Sequence, residues 1–64
     1  MNNKQRLELL AYDLVEMAKK IKELDTENID AVCELIGEMQ DLRTDIKNKG
    51  IVTLENIEHE LTYK

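Results

Sequence analysis

The sequence predicts an all-α protein: an antiparallel helical hairpin plus a short C-terminal helix, paired as a dimeric helical bundle. Three observations predict it. Proline is absent and glycine occurs only at Gly37 and Gly50, so little interrupts a helix. Glu, Lys and Leu, all good helix formers, are abundant. Apolar residues recur at alternating intervals of three and four, the period of one helix face.

The first helix is the clearest. Leu7, Leu10, Leu14, Met17, Ile21 and Leu24 follow one another at intervals of 3, 4, 3, 4 and 3, a heptad seam of a and d positions. It predicts a helix over about 3–24. Asp25-Thr26-Glu27-Asn28 comes next. Asp or Thr there suits the free N–H groups of a new helix start, and acids in the first turn suit its dipole. A tight turn at this point returns the second helix, about 27–48, antiparallel to the first. Ile29, Val32, Ile36, Met39 and Ile46 lie on its seam, with Arg43 interrupting. Leu35 and Leu42 widen the apolar face. Cys33, on the opposite flank, reads as a buried structural thiol.

Lys47-Asn48-Lys49-Gly50 reads as a stop: basic residues beside the last carbonyls, then glycine for a left-handed cap. Thr53-Leu54-Glu55-Asn56 reads as another start, giving a short helix over about 54–62 with Leu54, Ile57 and Leu61 on one side and Ile51 packing before it. A strand over 51–54 competes, but nothing else in the chain pairs with it.

The 64 residues make one domain, 1–64. A chain this short buries only roughly 60% of its unfolded surface, and here without Phe or Trp. Small scaffolds need a staple. One cysteine allows no internal disulfide, and one His with one Cys makes no metal site. Self-association remains, so a homodimer is expected. The lone thiol fits a reducing compartment. The start, Met1-Asn2-Asn3-Lys4-Gln5-Arg6, precedes no long apolar run, so no leader or membrane span is expected, and the cytoplasm is the expected location. A net charge of −5 argues against a phosphate-binding protein that works through bulk basic charge.

Two surfaces stand out on the helical wheel. Leu9, Tyr12 and Val15 form a second apolar stripe on the first helix, opposite the seam and flanked by Lys19 and Lys22. The third helix is expected to fold back and cover it; a dimer interface or a docking surface for a foreign protein are the alternatives. On the second helix Asp30, Glu34, Glu38, Asp41 and Asp45 line an outer acidic ridge, either a solvated face or a contact for a basic partner.

Chemistry is sparse. Glu38-Met39-Gln40-Asp41 has the ExxD spacing of all-α nucleotide pyrophosphohydrolases of the MazG type, with Glu34 a turn earlier. Those enzymes need a second carboxylate cluster for Mg²⁺. Here Glu8, Asp13, Glu16 and Glu23 lack the paired EExxE pattern. His59, between Glu58 and Glu60, has no nucleophile to activate and reads as a surface residue. No catalytic, cofactor or metal site is expected, and no enzyme.

Glu23-Leu24-Asp25-Thr26-Glu27, then Val32-Cys33-Glu34, Ile36, Glu38 and Asp41, resembles the turn and early second helix of the Rop family of plasmid copy-number proteins. The resemblance implies a hairpin that dimerises into an antiparallel four-helix bundle and binds paired RNA loops through the outer face of its first helices. The corresponding outer positions are Gln5, Leu9, Asp13 and Lys20. Only Gln5 and Lys20 carry over as RNA contacts, and the family's central aromatic is missing. The expected function is thus a small regulatory or inhibitory protein–protein interaction module, of the kind mobile elements often carry. An RNA-binding hairpin is the alternative, and a degenerate nucleotide hydrolase the remote one.

Overall fold

The computed structural model describes residues 2–63; Met1 and Lys64, the ends of the expected domain range, lie outside the described residues. The chain is all-α, with no strand among the described residues, including 51–54. Helix α1 spans Asn3–Glu23, α2 spans Ile29–Asp45, a π-helical segment spans Ile46–Ile51, and α3 spans Val52–Thr62.

Local chemistry sets the ends. Asn2 caps α1 reciprocally with Gln5: the Asn2 Oδ1 accepts the Gln5 N–H at 2.8 Å, and the Gln5 Oε1 accepts the Asn2 N–H at 3.1 Å. Leu24 turns extended and ends the helix. Asn28, rather than Asp25 or Thr26, caps α2. Its Oδ1 accepts from Asp30 and Ala31 N–H at 3.1 and 3.2 Å, so α2 begins at Ile29. The Asp25 carboxylate instead takes the Glu27 N–H at 3.0 Å and shapes the turn.

The expected stop at Gly50 does not occur. The π segment joins α2 to α3 in one helix of 34 residues. At about 1.5 Å per residue such a helix is roughly 51 Å long, and the molecule measures 52 × 17 × 15 Å. Gly50 has no positive φ and is buried. A Cβ there would lie 2.9 Å from the Leu10 Cδ2, so glycine serves a close approach between helices and not a left-handed cap. Thr53 is no cap either: α3 has no side-chain cap hydrogen bond, and Thr53 is 0% exposed against α1 with its hydroxyl unpartnered.

Helix α1 runs back along the long helix. Lys20 meets Glu38 and Asp13 meets Lys49, so the two are antiparallel, and α1 touches α2, the π segment and α3 in turn. The short third helix therefore extends the second and does not fold onto the Leu9–Tyr12–Val15 stripe, which stays exposed.

The inward line also differs from the expected seam. Leu10 and Met17 of α1 and Leu24 just past its end turn inward with Leu35 and Leu42 of α2, all buried or half-buried. Ile29, Ile36, Met39 and Ile46 are exposed, Val32 is half-buried, and Cys33 is exposed rather than buried. Of the third helix's apolar set only Ile57 turns inward; Ile51, Leu54 and Leu61 are exposed. Both arcs have helical period, and burial against α1 selects the Leu35–Leu42 arc.

Two stability measurements check this packing. Gly50→Val pushes into the Leu10 methyl, which must give way, and should cost about 1–3 kcal/mol in urea unfolding; wild-type stability in that variant would contradict the close approach. Thr53→Val keeps the shape and removes an unpartnered buried hydroxyl, so it should stabilise by about 1 kcal/mol.

Candidate interaction surfaces

The plane of the hairpin divides the surface. On α1, Leu14 stands four residues beyond Leu10 and Ile21 four beyond Met17, about 40° round from the inward line. On α2, Met39 stands four beyond Leu35 and Ile46 four beyond Leu42, with Ile36 and Ile29 further round. The two helices are right-handed and antiparallel, so rotation in the same sense about each axis reaches the same side of the plane. That side is one apolar face. Ile21 is 49% exposed, Ile36 51%, and Leu14, Met39 and Ile46 are exposed beside them. Ala11 and Ala18 fill its α1 half. Arg43 is the charge that interrupts its α2 half.

The other side of the plane is charged. Asp13, Glu16, Glu38, Asp41 and Asp45 line a shallow groove with Lys20. Lys20 Nζ lies 2.9 Å from the Glu38 carboxylate. Lys49 Nζ sits between Asp13 and Asp45, at 3.6 and 3.9 Å. The acidic ridge is thus not a uniform solvated face. Glu38 and Asp45 are half-buried and paired with lysines, while Asp30, Glu34 and Asp41 are exposed. The Lys20–Glu38 and Lys49–Asp13 pairs are tertiary and leave no mark in a one-helix pattern, whereas Asp45 and Lys49 stand four apart on one helix.

The groove brings Asp13 and Glu16 of α1 beside Glu38 and Asp41, the carboxylates of the ExxD motif. Glu23 and Glu34 line a separate hollow near the turn, and Glu8 lies near Tyr12. Among the described residues no group of three or more His, Cys, Asp or Glu is arranged to hold a metal ion. His59 is exposed, its ring 4.6 Å from that of Tyr63 one turn on.

The third surface is the outer edge of α1. Tyr12 is 70% exposed, Val15 54% and Leu9 41%, and Lys19 and Lys22 are exposed beside them. Of the positions matched to the Rop-type RNA face, Gln5 is engaged in the α1 cap and Lys20 is held by Glu38. Among the described residues no helix is long and apolar enough to cross a membrane. No protein-family model, curated protein or solved structure matches the chain.

Lys49 offers a test of the charged side. Lys49→Glu sets a third carboxylate between Asp13 and Asp45 and should lower the melting temperature. The loss should be small, since the site is over a third exposed and screened. It should shrink between about 0.01 M and about 1 M salt, as the Debye length falls from ~30 to ~3 Å. An unchanged melting point at both salts would show that the pairings contribute nothing.

Proposed function

We propose that this chain is a non-enzymatic regulatory or inhibitory protein-interaction module that acts as a homodimer in the cytoplasm, where the exposed Cys33 stays a thiol. The reading rests on the uncovered stripe of Leu9, Tyr12 and Val15. Helix α1 is already anchored on its opposite side, so this stripe contributes little to the hairpin's own folding. Tyr combines a large apolar body with a polar tip, which is why it is enriched where proteins meet. Lys19 and Lys22 on the flank favour a partner whose apolar groove is rimmed by carboxylates, and would speed encounter with it. The acidic ridge is the weaker contact candidate, because two of its five carboxylates already have lysine partners.

Tyr12→Asp tests the reading. The variant should weaken partner capture by about 30-fold or more, the effect of losing an interface hot spot of about 2 kcal/mol, with helicity and the cooperative melt unchanged. Capture is measured by tagged pull-down from host lysate, with and without RNase. Loss of folding in Tyr12→Asp would make the stripe structural. Recovery of an RNA that RNase removes would replace the protein reading with an RNA-binding one.

A further inference from the structure

We infer that a second copy of this chain covers the apolar face of Leu14, Ile21, Ile36, Met39 and Ile46, so that two hairpins stack face to face into a four-helix bundle. This rests on the homodimeric reading above and names the surface that makes the dimer.

The argument is one of area and placement. A folded monomer of 7.5 kDa is expected to expose about 4,200 Å². This chain exposes 5412 Å². The surplus of roughly 1,200 Å² per copy matches obligate homodimer interfaces, which bury about 2,000 Å² or more over both partners. Among the described residues Leu10 and Leu35 are the only buried hydrophobic ones, so one hairpin has almost no core of its own. Among the exposed apolar residues, Leu14, Ile21, Ile29, Ile36, Met39 and Ile46 come from both helices and share one side of the plane, while ion pairs and carboxylates occupy the other.

A second copy meets the need better than a foreign chain does. The face spans two helices, and an identical two-helix face is self-complementary under a twofold axis. Alternating large and small residues on α1, with Ala11 and Ala18 beside Leu14 and Ile21, leave room for side chains of the facing hairpin. In this stacking the Leu9–Tyr12–Val15 stripes stay on the outer edges, one per copy. The assembly therefore presents two partner sites.

Sedimentation equilibrium of the intact chain, with melts over a range of protein concentration, tests the inference. The expected results are a mass twice that of one chain and a melting temperature that rises with concentration. Ile36→Glu should weaken self-association by more than about 100-fold, because each copy loses the contact, whereas Tyr12→Asp should leave the dimer intact. A chain that is monomeric and melts independently of concentration overturns the inference, as does one that folds only on a foreign protein. A dimer broken by Tyr12→Asp and not by Ile36→Glu overturns it too, by moving the contact to the stripe. An intact dimer with no captured partner leaves this face standing and removes the proposed function instead.

Discussion

The contact of Leu10 with Gly50 sets the geometry of the hairpin, and it depends on one extra residue in the long helix. Along α2 the positions turned toward α1 are Ala31, Leu35, Glu38, Leu42 and Asp45. Continued at the heptad interval, the same line would bring Lys49, Val52 and Asn56 inward. The π segment inserts a residue and advances everything after it by one position. Gly50, Thr53 and Ile57 arrive at the interface, next to Lys49, which stays half-buried beside Asp13 of α1. A threonine takes the place of a valine and an isoleucine that of an asparagine, and Gly50 admits Leu10. Without that shift a polar amide would face α1, and the N-terminal half of α1 would lose its apolar partner.

The shift also explains why the long helix continues past its apparent stop. Lys-Asn-Lys-Gly is a sound C-terminal signal when glycine is free to adopt a left-handed conformation. Here the absence of a Cβ is spent on admitting Leu10, whose position in the sequence gives no local hint of the contact. Elements governed by local chemistry were legible. The α1 seam placed its helix within a residue at either end, and the turn region was found where it occurs. Asp25, Thr26 and Asn28 all carry the acceptor a cap requires, and only backbone geometry selects Asn28 among them.

The surfaces were legible to the same degree. Leu9, Tyr12 and Val15 could be placed away from the seam by the helical wheel alone, and they are exposed. Which arc of α2 faces α1 could not be read. Ile29–Ile36–Met39–Ile46 and Leu35–Leu42 both have helical period, and a wheel has no marker for the direction of the neighbour. Along the acidic ridge, Glu38 acquires its lysine partner only when α1 brings Lys20 alongside, whereas Asp45 and Lys49 stand four apart on one helix.

Helix α1 carries three surfaces on one cylinder, and this makes them separable. Leu10, Met17 and Leu24 hold the hairpin together. Leu14 and Ile21, about 40° away, belong to the apolar face. Leu9, Tyr12 and Val15 occupy the far side. A surface of each kind asks something different of its residues. The inward line needs fit against Gly50 and Thr53. The apolar face needs area, because the hairpin exposes more than a chain of its mass should. The outer stripe needs neither, because Leu9, Tyr12 and Val15 stand away from both the inward line and the apolar face and are exposed. The charged side of the hairpin completes this division: its ion pairs are exposed and individually weak, but they oppose stacking on that side and leave the apolar face as the surface available for burial.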